Sequence, residues 1–241
     1  MPQHRVVGII GGMGPEATAD LFFKIVQATN ANTDQEHLEV VVVSDPTVPD
    51  RTKAILENTA DPLPKMVNTA QRCVQGGADF LIMPCNTAHH FYKRLTEQVD
   101  VPVLHMMDEV AFFLSQHHKP IQKVGLMATD GTIKSELYQA ALRQQEIEVL
   151  SPDPHEQTMV MEAIYGEDGV KAGCIDQPQS AFKTVADALI FSGAKAIIAG
   201  CTEIPLALSS EDVENVLFVD STRVLASAAV KFATGQLDRR F

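Results

Sequence analysis

Two cysteines in matching contexts dominate the chemistry that this sequence offers. Cys85 lies in Leu81-Ile82-Met83-Pro84-Cys85-Asn86-Thr87-Ala88-His89, and Cys201 in Ile197-Ile198-Ala199-Gly200-Cys201-Thr202-Glu203-Ile204-Pro205. Each follows a short apolar run introduced by a Gly-Ala pair (Gly77-Ala78 and Gly193-Ala194) and precedes small polar residues. Both sites read as the carboxyl end of a buried parallel strand entering a loop and then a helix, where open α/β sheets place their chemistry. A thiol has a pKa of ~8.5, lowered near helix N-termini and cations. Two thiols facing one cleft could act as base on one side of a carbon and acid on the other. A lone cysteine nucleophile with His89 or His90 as its base is the alternative, and it ranks lower because it leaves Cys201 unexplained.

The elements that must position these cysteines repeat along the chain. Gly8 matches Gly125 at an offset of 117, Cys85 matches Cys201 at 116, and Val101 matches Val216 at 115. Between them Leu38 to Val43 parallels Ile147 to Leu150. The order strand, helix, strand, helix, strand, helix, strand reads in each half. Apolar stripes predict helices over Lys65 to Gln75, Gln179 to Phe191, Val110 to Gln116 and Thr222 to Ala233. The expected fold is α/β, with two pseudo-symmetric lobes, each a mostly parallel sheet flanked by helices, and an active site in the interlobe cleft. The first lobe is expected over 1–108, joined by the C-terminal helix 222–236, and the second over 109–221.

Composition bounds the partners. The chain has 241 residues, 45% hydrophobic and 21% charged, with a net charge of −12. That charge argues against nucleic acid and anionic membrane as partners, since both demand basic patches. No stretch approaches the ~20 apolar residues of a membrane span, and Met1 to Arg5 runs straight into a strand rather than a signal peptide, so a cytoplasmic protein is expected. The four cysteines (Cys73, Cys85, Cys174 and Cys201) read as thiols, with Cys73 and Cys174 as packing residues. No Cys-x-x-Cys or zinc spacing occurs, so no metal is expected.

Two further loops bear charge or open backbone. Gly11-Gly12-Met13-Gly14-Pro15-Glu16-Ala17 follows the first strand and contains Gly12-x-Gly14-x-x-Ala17, a weak dinucleotide fingerprint. The acidic residue that would complete it, Asp45, stands 31 positions beyond Gly14 rather than roughly 20. The preferred use is backbone N–H groups at a helix start, suited to a small carboxylate, and a tight turn that needs glycines for geometry alone is the alternative. Arg51, in Asp45-Pro46-Thr47-Val48-Pro49-Asp50-Arg51-Thr52, presents a planar fork that grips carboxylates, and Lys171 is a weaker case by the same logic.

With these motifs, the chain resembles the aspartate/glutamate racemase superfamily, specifically its aspartate racemase branch, essentially end to end. The resemblance rests on Gly11-Gly12-Met13-Gly14-Pro15, Pro49-Asp50-Arg51-Thr52, Pro84-Cys85-Asn86-Thr87-Ala88-His89 and Gly200-Cys201-Thr202-Glu203-Ile204. It implies a racemase without cofactors, commonly a homodimer, that interconverts L- and D-aspartate through Cys85 and Cys201. It also implies that Asn86, Thr87 and Thr202 bind the substrate α-carboxylate or amino group. Arg51 and Lys171 would hold the side-chain carboxylate, with Met13 and Thr132 lining the site and Glu203 beside Cys201 within it. Glutamate racemases carry Asp-Ser-Gly and Gly-Cys-Thr-His at the corresponding places, which disfavours glutamate as main substrate. A racemase of broader specificity, or a two-cysteine isomerase of another small acid such as maleate, is the alternative.

Overall fold

A computed structural model describes residues 4–118 and 120–237; Met1 to Gln3, at the start that the sequence suggests runs into a strand, lie outside the described residues. Two compact units are present, one holding the described residues up to Glu109 and from Thr222 onward, the other Val110–Ser221. The first contains β1 (Val7–Gly11), α1 (Pro15–Ala28), β2 (Val40–Ser44), α2 (Arg51–Glu57), α3 (Leu63–Gln75), β3 (Phe80–Ile82) and α4 (Tyr92–Thr96). α5 (Met106–Ser115) carries the chain into the second unit, which contains β4 (Lys123–Ala128), α6 (Asp130–Lys134), α7 (Leu137–Arg143), β5 (Glu148–Leu150) and α8 (Pro154–Tyr165). There follow α9 (Asp176–Phe191), β6 (Ala196–Gly200), α10 (Ile204–Ala207) and β7 (Leu217–Asp220), and α11 (Ser221–Ala233) belongs almost wholly to the first unit.

Both sheets are parallel, ordered β2-β1-β3 and β5-β4-β6-β7. The central strands β1 and β6 are buried throughout and accordingly lack alternation, as strands covered on both faces do. The fourth strand expected near Val101 in the first half is absent: only a single bridge, Leu81 to Val103, forms there. Pro102 explains the loss. Its carbonyl accepts the Leu81 N–H at 2.8 Å, but it has no N–H with which to extend a ladder.

Helices cover these sheets through apolar stripes. α3 turns Met66, Val67, Ala70 and Cys73 inward, and α9 does the same with Phe182, Val185, Ala186 and Leu189. α8 is started by a capping box, in which the Asp153 carboxylate accepts the Glu156 N–H and the Glu156 carboxylate accepts the Asp153 N–H, both at 2.8 Å. α11 joins the first unit through Phe232, whose ring meets Phe80 edge-on at 4.8 Å under the Arg5 guanidinium. Cys73 is fully buried with its thiol on the Ile9 carbonyl, and burial pushes that thiol up to about 11.

Tight contacts fall at equivalent glycines of β1 and β4. A Cβ at Gly8 would lie 2.7 Å from the Ala78 Cβ and 3.1 Å from the Cys73 Cβ; one at Gly125 would lie 2.9 Å from the Leu189 Cβ. Cys73 and Leu189 are 116 positions apart, the offset of the two site cysteines. Since none of these three Cβ atoms is the loose end of a flexible chain, Gly8→Ala and Gly125→Ala should each overpack the helix–sheet contact and cost about 1–3 kcal/mol. Urea unfolding checks this, and midpoints equal to wild type would show that the helices can withdraw without loss.

Candidate active site

Strand register places the two cysteines equivalently. Gly8 pairs with Leu81 and Gly125 with Ile197, and Cys85 and Cys201 each stand four residues beyond those partners (85 − 81 and 201 − 197). Each is only 6% exposed. Their immediate surroundings differ.

After Cys85 the chain enters a 3-10 turn, Thr87–Phe91, which runs into α4. Asn86 and Thr87 are buried beside the sulfur's own residue. His89 is buried too, and both its nitrogens are engaged. Nδ1 lies 2.8 Å from the Cys85 carbonyl and so carries the proton, while Nε2 accepts the Met106 N–H at 3.2 Å. The ring thus ties the Cys85 loop to the first residue of α5. Burial, with a contribution from His105, lowers its pKa to about 3, so it is neutral at physiological pH. This overturns His89 as a base for Cys85: it donates to the cysteine's backbone, not to its thiol. His90 is exposed and meets Phe91 edge-on at 5.0 Å.

Arg51 is the first residue of α2, started by Asp50, whose carboxylate accepts the Lys53 N–H at 2.8 Å. Its guanidinium donates to the carbonyls of Val48, Pro49 and Met13 at 3.3, 3.0 and 3.3 Å. The loops after β1 and β2 are therefore stitched together by the arginine expected to face substrate, and Met13 is buried at the junction. In the glycine-rich loop the Gly12 N–H is already taken by Thr18 Oγ1 at 2.9 Å, so this donor is not available to a carboxylate.

The Cys201 end is ionic. Its Sγ donates to Glu203 Oε2 at 2.9 Å, and Thr202 Oγ1 donates to the same oxygen at 3.1 Å. The other carboxylate oxygen of Glu203 pairs with the Lys171 ammonium, which also lies 5.5 Å from the centre of the Tyr165 ring. Burial and the neighbouring Glu203 charge push the Cys201 thiol well above its ordinary range, while Lys171 pulls the other way. Lys171 sits on the 3-10 turn Val170–Ala172, pinned by buried Val170. Thr132 is fully buried at the start of α6, where its N–H donates to the capping Thr129 hydroxyl at 3.3 Å.

Of the residues singled out in the sequence, the structure joins Met13 to Arg51, and Lys171, Thr202 and Glu203 to Cys201. Asn86 and Thr87 adjoin Cys85 in the chain, and Thr132 stands with Thr129. The sequence reading missed the structural part of His89, for which a spacing of four from Cys85 was the available signal. It also missed Thr18, Thr129 and Tyr165. Among the described residues no group of three or more His, Cys, Asp or Glu side chains is placed to hold a metal ion.

Two parallel-sheet units, each carrying past the end of a register-equivalent strand a Cys followed by small polar residues, define an α/β enzyme of a duplicated type. The chain belongs to the Asp/Glu/hydantoin racemase family, whose model matches residues 10–229, and so to the isomerases that work without pyridoxal phosphate. It is 28% identical over 236 residues to the broad specificity amino-acid racemase RacX of Bacillus subtilis, covering 93% of this chain and 96% of that protein. The structure of Picrophilus torridus aspartate racemase superposes with a TM-score of 0.83 at 33% identity, covering 95% of this chain and 94% of that one. An aspartate racemase homologue from Pyrococcus horikoshii shares the fold, with a TM-score of 0.76 at 24% identity over 95% of this chain and 99% of that one.

The buried, neutral His89 has a pH consequence. Its folded pKa of about 3 lies below the unfolded value of ~6.5, so the unfolded chain binds more protons between these limits. Its contribution is complete above ~6.5 and is lost as pH falls towards 3, at about 1.4 kcal/mol per pH unit. At pH 5 the wild type should be about 2 kcal/mol less stable than at pH 7 from this group alone. His89→Asn should lack that share, as urea unfolding at the two pH values would show. An identical loss in the variant would clear His89 of the effect.

Proposed function

We propose that the protein interconverts L- and D-aspartate, with Cys85 and Cys201 exchanging protons at the α-carbon from opposite faces. The observation that carries this reading is the register equivalence of the two cysteines, each four residues beyond the partner of a central-strand glycine. A duplication that preserves a thiol at both strand ends supplies two groups of the same chemistry, as removal and return of a proton in mirror-image directions require. One sulfur takes the α-proton as a thiolate, and the other delivers its thiol proton to the resulting carbanion.

The α-carbon of an amino acid is a weak acid, so negative charge growing on its carboxylate needs fixed positive and polar groups nearby. Asn86, Thr87 and Thr202 are the proposed binders of the α-carboxylate or amino group, with Met13 and Thr132 lining the site. Arg51, anchored on three carbonyls of the adjoining loops, is proposed for the side-chain carboxylate. Lys171 shares that role in competition with Glu203, to which it is already paired. The likeness to Picrophilus aspartate racemase supports aspartate, and the likeness to RacX favours a second reading in which other amino acids are also accepted. A cytoplasmic homodimer belongs to the same reading. Among the described residues no helix is long and apolar enough to cross a membrane.

Proton NMR of L- and D-aspartate with the purified protein in deuterated buffer tests the proposal directly. Loss of the α-proton signal from both isomers, with decaying optical rotation, is the expected result; no exchange from either would exclude aspartate. Cys85→Ser and Cys201→Ser should each lower racemisation by about 10²–10⁴-fold, the usual worth of a positioned proton-transfer group. Wild-type rates in either variant would end the two-cysteine scheme. Arg51→Lys keeps the charge but loses the fork. It should reduce kcat/KM for aspartate by about tenfold or more, equivalent to ~1.4 kcal/mol of transition-state binding. Unchanged steady-state kinetics would remove Arg51 from the substrate.

A further inference from the structure

The two sulfurs stand in different electrostatic company. Cys201 is one of three donors gathered on the Glu203 carboxylate, the others being the Thr202 hydroxyl and the Lys171 ammonium. The Glu203 side chain is 7% exposed, against 28% for Lys171. Both of its oxygens are filled by these donors, as the burial of a carboxylate demands. A carboxylate paired with an ammonium can only accept, so the sulfur beside it must donate. A thiolate at that place would have no proton to give and would set two negative charges 2.9 Å apart. The chain neighbours of Cys85 are instead neutral (Pro84, Asn86 and Thr87), and the His89 ring that holds its carbonyl is uncharged.

We propose that the resting enzyme keeps Cys201 as the thiol that donates a proton and Cys85 as the thiolate that removes one, with Glu203 as the positioning residue that sets this order. The inference rests on the two-cysteine reading given above and assigns each cysteine its resting part. In the forward step the Cys85 thiolate takes the α-proton and becomes a thiol, leaving the electron pair on carbon. The carbanion then takes the proton of Cys201 on its other face, leaving a Cys201 thiolate whose charge Lys171 partly offsets. Net charge is the same before and after, and the proton count returns when a proton passes from Cys85 back to Cys201 through solvent. The enantiomer whose α-hydrogen is met by Cys85 finds the enzyme ready. Its mirror image needs the minor protonation form, and its apparent affinity is reduced by the fraction of enzyme in that form.

The test is the pH profile of iodoacetamide alkylation, followed cysteine by cysteine through peptide masses. Steric access scales the rate at every pH, whereas the midpoint of the profile reports ionisation. In the wild type the Cys85 midpoint should lie below that of Cys201 by about one pH unit or more, a tenfold difference in ionisation. Glu203→Gln removes the carboxylate charge while the Lys171 charge remains, so the Cys201 midpoint should fall by about one unit or more. Glu203→Asp, which keeps the charge, should leave the Cys201 midpoint above that of Cys85. Coincident or inverted midpoints in the wild type would overturn the proposal even if Glu203→Gln failed to fold, as would an unmoved Cys201 midpoint in a folded Glu203→Gln. Because alkylation needs no turnover, inverted midpoints alongside normal α-proton exchange would sink this order and spare the racemase reading. Correct midpoints with no exchange from any amino acid would sink both proton-transfer assignments.

Discussion

The structure depends first on how closely a helix can approach the middle strand of each sheet. At Gly8 and Gly125 there is no room for a β-carbon, because Ala78 and Cys73 in one unit and Leu189 in the other occupy the space. That absence lets α3 and α9 press onto β1 and β4, and it fixes how β3 and β6 lie against them. Everything downstream inherits the alignment. Each cysteine emerges a fixed number of residues beyond the strand position that faces the glycine, so one steric constraint, met twice, sets two thiols at equivalent stations. The interiors around them are packed to a density that allows little adjustment.

On this symmetrical frame the electrostatics are unlike. The loop after β3 is held by neutral hydrogen bonds, with an uncharged histidine spanning the Cys85 carbonyl and the α5 backbone. The loop after β6 is held by a half-buried ion pair that draws in a thiol and a hydroxyl. Duplication has preserved the geometry of the strand ends and left the surrounding charges free to diverge.

Much of this was legible in the sequence because the repeat left its mark on residue types with little freedom. The Gly8/Gly125 and Cys85/Cys201 matches follow from steric and chemical demands that few substitutions meet, so counting offsets recovered the repeat and the places of both cysteines in it. The apolar stripes of α3 and α9 were readable for the same reason, since they must bury one face. Other features depended on contacts that spacing does not encode. The Val101 to Leu104 segment is apolar enough for a strand, and the missing N–H of Pro102 reduced it to a bridge. The Lys171–Glu203 pair joins residues 32 apart, one of them on a single turn with no periodicity to read. His89 shows the opposite failure. Its spacing from Cys85 was visible, but whether it served sulfur or backbone turned on burial, which the sequence does not display.

The unlike company of the two thiols meets a limit set outside the protein. Mirror-image amino acids have the same free energy in an achiral solvent, so a racemase works on an equilibrium constant of unity. The Haldane relation then requires kcat/KM to be equal in the two directions, whatever the enzyme's own asymmetry. In the proposed order, the carboxylate of Glu203 can therefore never make the catalyst prefer one hand in that ratio. It can only trade turnover against saturation, giving one enantiomer a lower KM with a proportionally lower kcat. Handedness in the cell's amino-acid pool would have to come from whatever consumes the product.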